Sequence, residues 1–260
     1  MTVWYMNGAG NDFMVMDARG MELDFSVLSR ELCKLTGADG FMAVDNSEIG
    51  DFKLHFYNSD GSRGEMCGNG ARCICRFAHD IGLAGDPMVV ETDAGPVPGW
   101  RIDENKYAVH LNLPSVVDLE RLDDVAYVEL GNPGIPHAVS ECKADLWENA
   151  ERLRTWMEIL RHHEAFPKGA NVNFYQRLDD APGEVRILTF ERGVEDFTLA
   201  CGTGCGSTAV VMHKLGLLPG GVLTAHNRGG ILRLEITESE GSIATIRLEG
   251  PTEVVKIYEL

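Results

Sequence analysis

Two similar α+β halves, each rich in strands, form the fold class that three features of the sequence predict. The first is an internal repeat: Cys67-Gly68-Asn69-Gly70-Ala71-Arg72-Cys73 returns as Cys201-Gly202-Thr203-Gly204-Cys205-Gly206-Ser207, 134 residues later. At the same offset His79 meets His213, Gly82 meets Gly216, Leu83 meets Leu217 and Gly95 meets Gly229, so the register holds for 29 residues without a gap. The second is an excess of strand-like segments over helical ones. The third is that each half carries one long outer helix and one very apolar helix directly after its repeated cysteine. A chain of 260 residues with 44% apolar content can bury two such cores.

The elements follow in order. Val3 to Asp17 reads as an apolar start, a glycine-rich loop Asn7-Gly8-Ala9-Gly10-Asn11-Asp12 and a strand from Phe13 to Met16. Ser26 is placed to cap a helix whose Leu28, Leu32 and Leu35 recur at helical spacing, with Gly37 as its stop. Phe41 to Val44 and Phe52 to Tyr57 read as strands, and Asn58-Ser59-Asp60-Gly61-Ser62 as the turn into the first cysteine corner. Ala71, Ile74, Ala78 and Ile81 mark the following helix, ended by Gly82. Met88 to Thr92 and Tyr107 to Leu113 close the first half, with turns at Pro98, Gly99 and Asp103 to Asn105. The polar run Pro114 to Asp124 reads as the crossover, so the halves are expected to divide at about 115/116. The second half repeats the order: a strand and glycine loop over Val128 to Pro136, then His137, then one helix from about Ala144 to His163 with Trp147, Ala150, Leu153, Met157 and Leu160 on one face. Strands at Asn171 to Tyr175 and Val185 to Glu191, the second corner with its helix, and four more strands from Val222 to Tyr258 complete it. The active site is expected between the halves.

The charge excludes several functions. With 23 basic and 40 acidic residues the formal charge is −17, which opposes attraction to nucleic acid or an anionic membrane surface. No window approaches the roughly 18 apolar residues of a membrane span, and the amino terminus lacks a signal-peptide pattern, so a soluble cytoplasmic protein is expected. Seven cysteines in no disulfide or zinc pattern point to reduced thiols. Cys33, Cys75 and Cys142 read as core, as do Cys73 and Cys205. A zinc site from Cys67, Cys73, Cys201 and Cys205 fits no common ligand spacing.

Both corners set a cysteine and a Gly-x-Gly at a helix start, where unpaired N–H groups and the helix dipole favour an anion by about 0.3–1 kcal/mol, and up to about 2 in buried settings. A substrate carboxylate and a thiolate could each use it. A lowered thiol pKa at such an end would make a base near neutral pH. Two pseudo-equivalent thiols suit a symmetric reaction, racemisation or epimerisation at an amino-acid Cα, in which one group removes a proton from one face while the other returns a proton to the opposite face. The alternative is a non-catalytic ligand- or metal-binding protein on the same scaffold.

These residues resemble the diaminopimelate epimerase family. The matching segments are Gly8 to Phe13, Asn58 to Ser62, Cys67 to Cys73, Pro136-His137, Asn171 to Phe174, Glu191 to Gly193 and Ala200 to Gly204, in order along nearly the whole chain. The resemblance implies two strand-rich, barrel-like halves, each around a central helix, with the last strand returning to the first half, hence an expected division of 1–115 plus 249–260 against 116–248. It implies a cofactor-independent isomerase with no metal, acting on a small-molecule amino acid, with Cys67 and Cys201 as acid–base pair assisted or oriented by Glu191 and His137. Asn11, Asn58, Asn171 and Arg192, with Glu191 and the backbone at Gly68, Asn69, Gly202 and Thr203, would bind the substrate. Gly40 stands where many relatives carry a substrate-binding Gln, Arg63 where Glu is usual and Asn7 where His is common, and Gly131 to His137 replaces a tighter Gly-Asn-Pro-His. A related racemase of another amino acid is therefore the runner-up. Oligomeric state is not legible in the sequence, and a homodimer stays open.

Overall fold

The chain divides into two units, Met1–His110 with Glu249–Leu260, and Leu111–Leu248. The computed structural model describes residues 1–64 and 67–260; the side chains of Ala144, Asp145 and Ala150 are also outside the described residues, so the expected place of Ala150 on a helix face is too. Strands β1 to β17 and helices α1 to α5 are numbered in chain order.

In the first unit β1 (Thr2–Gly8) and β2 (Asn11–Asp17) form an antiparallel hairpin with Gly8 opposite Asn11. The expected loop is thus only Ala9 and Gly10: Asn7, Asn11 and Asp12 continue the ladder, because two-residue turns take the very residues that also punctuate loops. Helix α1 (Phe25–Thr36) is capped by Asp24, whose side chain accepts from Val27 N, rather than by Ser26, whose hydroxyl donates to Gly61 O. β3 (Gly40–Asp45) runs parallel to β2, and β4 (Phe52–Asn58) pairs antiparallel with β3. After α2 (Gly68–Asp80), β5 (Met88–Thr92) joins β4 in parallel, and β6 (Gly95–Arg101) and β7 (Lys106–His110) follow antiparallel. Pro98 and Gly99 therefore lie inside a strand; Pro98 is tolerated because β7 pairs with β6 only from Gly99 onward.

In the second unit the run expected as a crossover is a strand, β8 (Pro114–Leu122), antiparallel to β9 (Val125–Gly131); its half-exposed pattern hid it. β9 and β10 (Gly134–Glu141) repeat the tight hairpin. The single long helix expected next is two, α3 (Ala144–Trp147) and α4 (Ala150–Arg161), because the Asn149 side chain caps Arg152 N and starts a new helix. β11 (Asn171–Arg177) lies parallel to β10, β12 (Glu184–Glu191) antiparallel to β11, and β13 (Asp196–Thr198) folds back on β12. After α5 (Gly202–Lys214), β14 (Val222–Asn227) is parallel to β12, and β15 (Gly230–Ser239) and β16 (Ser242–Pro251) follow. The last strand, β17 (Glu253–Glu259), pairs with β1 of the first unit, where β8 serves β9 in the second.

Period-2 alternation gives the central strands of each unit two buried faces. Met14, Met16, Phe41 and Ala43 face outward and pack with Leu32 and Cys33 of α1. In the second unit Ala138, Val172, Phe174, Leu188 and Phe190 pack with Leu153, Met157 and Leu160 of α4. The opposite faces receive α2 and α5, each with ten buried residues out of 13. A helix buried around most of its circumference is the centre about which the strands wrap.

Candidate active site

Each corner is built by the same local rule. Cys67 and Cys201 are the N-caps of α2 and α5 in extended conformation, with φ/ψ of −121°/118° and −122°/110°. Each Sγ accepts a backbone hydrogen bond from the third residue on, Gly70 N at 3.5 Å and Gly204 N at 3.3 Å. Each helix also ends alike: Gly82 (φ 71°) donates to His79 O as Gly216 (φ 72°) donates to His213 O, a left-handed stop that glycine adopts at least cost.

The thiols differ in exposure. Cys67 is half-buried and Cys201 is 8% exposed, and every cysteine of the chain is a free thiol. Burial pushes the Cys201 thiol well above its ordinary value, and the Glu191 charge raises it further. The Thr203 hydroxyl, 3.5 Å away, and Gly204 N–H pull the other way without prevailing. The expected lowering at a helix end is therefore not met at Cys201, where burial and the Glu191 charge hold the thiol's pKa up.

In the first unit the sequence-predicted residues join into a polarised chain. The buried Arg72 guanidinium donates to Gly68 O (3.1 Å) and to Asn69 Oδ1 (2.9 Å). Asn69 Nδ2 donates to Asn11 Oδ1 (2.6 Å), and Asn11 Nδ2 to Asp39 Oδ2 (3.2 Å). Arginine only donates and an ionised aspartate only accepts, so both amides between them are held in one orientation. Asn58 stands apart from this chain: it ends β4 opposite Gly40, and its Nδ2 donates to Ser62 Oγ at 2.9 Å.

In the second unit His137, Asn171 and Arg192 meet through amides. Asn171 Oδ1 accepts from Arg192 N (2.8 Å), its Nδ2 donates to Pro136 O (3.3 Å), and Arg192 Nη1 donates to Lys168 O (3.0 Å). Glu191, the last residue of β12, adjoins Arg192 and acts electrostatically on Cys201. His137 has no exposed surface; its Nδ1 lies 3.1 Å from Asn173 Nδ2, and its pKa is lowered to about 3 by burial, with Arg192 contributing. A crevice of about 340 Å³ on this unit, lined in part by Trp147, Arg186, Phe197 and Arg228, contains none of the predicted site residues.

The model of the family described as Diaminopimelate epimerase matches residues 3–116 and 126–255. The chain belongs to the diaminopimelate epimerase family. It is 36% identical to the diaminopimelate epimerase of Aquifex aeolicus, covering 100% of this chain and 96% of that protein, and 35% identical to that of Chlorobaculum tepidum, covering 96% and 97%. Among solved structures, the Bacillus anthracis phenazine biosynthesis protein of the PhzF family superposes with a TM-score of 0.77 at 15% identity, covering 100% and 98%. A hydroxyproline epimerase from Agrobacterium vitis gives 0.69 at 17%, covering 100% and 90%. At such identities these two establish the shared α+β fold of two strand-rich halves.

Within this diaminopimelate epimerase family member, reading the sequence missed four residues that hold the candidate site together: Asp39, Arg72, Asn173 and Thr189. Asp39 terminates the amide chain on Asn11, and Thr189 Oγ1 donates to Asn173 Oδ1 at 2.9 Å. Asn173 was legible in principle. Asn171 and Asn173 alternate with apolar Val172 and Phe174, so the strand's second face had to be polar.

Proposed function

We propose that this chain is a diaminopimelate epimerase, a cytoplasmic isomerase that interconverts LL- and meso-2,6-diaminopimelate for lysine and peptidoglycan synthesis. The observation that carries the reading is the doubled corner: one cysteine N-cap and one anion-favouring helix start in each unit. One group, as thiolate, removes the Cα proton, and the other, as thiol, delivers a proton to the opposite face; the reverse direction exchanges the roles. Burial suits Cys201 to hold its proton in the resting state. The thiol pair carries both proton transfers, and backbone N–H groups at Gly68, Asn69, Gly202 and Thr203 stabilise the charge that develops on the substrate carboxylate. Asn11, Asn58, Asn171, Glu191 and Arg192 bind the charged ends.

Incubation of the purified protein with LL-diaminopimelate in deuterated water tests this. Cα deuterium and the meso isomer are expected; neither appearing would refute the reading. One observation favours a second reading, a racemase for a different amino acid: a Cβ at Gly40 would lie 2.9 Å from Tyr57 O and 2.8 Å from the Phe56 ring, so the substrate-binding glutamine that the family resemblance implies at this position would not fit without a shift of those neighbours. Running the same assay over single-centre and dicarboxylic amino acids separates the two.

A further inference from the structure

The buried polar group that the thiol chemistry leaves unexplained is His137 with its neighbours. Asn173 Nδ2 lies 3.2 Å from Ala138 O, 3.2 Å from Asn171 O and 3.1 Å from His137 Nδ1. An atom flanked by two carbonyl oxygens must be the NH2 of the amide, because the reversed amide would set oxygen against oxygen twice. The Thr189 hydroxyl, free to donate or accept, completes that orientation from the other side by donating to Oδ1 at 2.9 Å. With an NH2 facing it, His137 Nδ1 can only accept. The ring's one proton therefore sits on Nε2, which is fully buried and has no hydrogen-bond partner among the described residues. Burying an N–H without a partner is unfavourable, a penalty a protein keeps where a ligand supplies the acceptor.

The fold itself does not require these polar groups. His137 pairs with Asn171 as Phe13 pairs with Gly40, and Thr189 lies opposite Asn173 as Phe56 lies opposite Met42. The same local architecture is thus built in the first unit from Phe13, Met42 and Phe56.

We propose that Asn173, backed by Thr189, is a positioning residue that holds His137 as a neutral imidazole with its proton on Nε2, so that His137 serves as a fixed hydrogen-bond donor and never as a proton-transfer base. The location ties this to the Cys201 corner: Asn173 Oδ1 lies directly against Gly204, whose N–H caps Cys201 Sγ. The catalytic part of the inference rests on the epimerase reading; the tautomer does not. The low pKa of His137 agrees with it.

Imidazole ¹⁵N spectra of the full-length protein, with His137 assigned by its loss in His137→Gln, decide the tautomer without any substrate. An acceptor-type Nδ1 and a protonated Nε2, unchanged from pH 5 to 8, are expected; a protonated Nδ1, or titration within that range, would overturn the proposal. Activity supplies a second arm. A glutamine amide can set its N–H near the imidazole Nε2, so His137→Gln should stay within about tenfold of wild type, whereas His137→Ala should lose about 10²–10³-fold in kcat. Equal losses in the two variants would mean that His137 moves a proton, and would refute the donor role even with the tautomer as expected.

Discussion

The first turn of α2 lies over Phe13 and Met42, with Phe56 edge-on to Phe13, whereas the first turn of α5 lies over His137, Asn173 and Thr189. The two units have the same strand register, the same N-cap geometry at cysteine and the same glycine stop. They differ in what supports the thiol. A duplicated scaffold thus places two cysteine N-caps, the acid–base pair of the proposed mechanism, and the inner faces of β2, β3 and β4 against those of β10, β11 and β12 make their surroundings unlike. Hydrogen bonds to Asn173 and Thr189 orient the side chains on that face, while an apolar support merely packs.

The largest effect should come from erasing that difference. Replacing His137, Asn173 and Thr189 together by Phe, Met and Phe, their counterparts in the first unit, should leave a cooperatively folding protein whose turnover falls by about 10²–10³-fold or more. Loss of cooperative unfolding would mean that the polar trio is needed for the fold. A somewhat smaller asymmetry is expected at the glycines. A Cβ at Gly204 would fall on Asn173 Oδ1 and must displace the amide, while one at Gly70 would meet the flexible Met42 Sδ at 3.1 Å. Gly204→Ala should therefore cost about 1–3 kcal/mol of stability together with much of kcat, and Gly70→Ala clearly less of both. Thermal melts and steady-state rates of the two variants check the ranking.

Acid stability probes the same trio. His137 has a folded pKa of about 3 against about 6.5 unfolded, so the unfolded chain takes up the proton first as pH falls. This contribution is complete above about pH 6.5 and is lost toward pH 3, by up to about 1.4 kcal/mol per pH unit. Denaturant titrations at pH 7 and 4.5 should show His137→Gln losing less stability on acidification than wild type; parallel losses would place a charged imidazole in the fold. The mildest contrast is in labelling. At neutral pH iodoacetamide should reach half-buried Cys67 before Cys201, and Cys201 labelling should climb as pH rises past 9. Peptide mass spectrometry gives the order, and the reverse order would contradict the burial argument.

What the sequence made legible follows from periodicity and spacing. Cys67 and Cys201 stood out because Gly-x-Gly at a helix start recurs at one offset, and α1, α2 and α5 because their apolar positions repeat at helical spacing. The hairpins at Ala9-Gly10 and Asn132-Pro133 were hidden, since their residues also mark longer loops. The break at Asn149 was hidden because a cap and a mid-helix asparagine look alike in sequence. Thr189 and Asp39 were hidden for another reason: each acts across strand register, Thr189 opposite Asn173 and Asp39 against Asn11. Register is a tertiary property.

The division of labour between the two thiols is tested most directly by isotope exchange in single-cysteine variants. In deuterated water, Cys67→Ala and Cys201→Ala should each lose epimerisation while the remaining thiol still exchanges the Cα hydrogen of one stereoisomer with retention. One variant is expected to exchange only the LL isomer and the other only the meso centre. Exchange of the same isomer by both variants, or full turnover by either, would contradict a one-thiol-per-face mechanism.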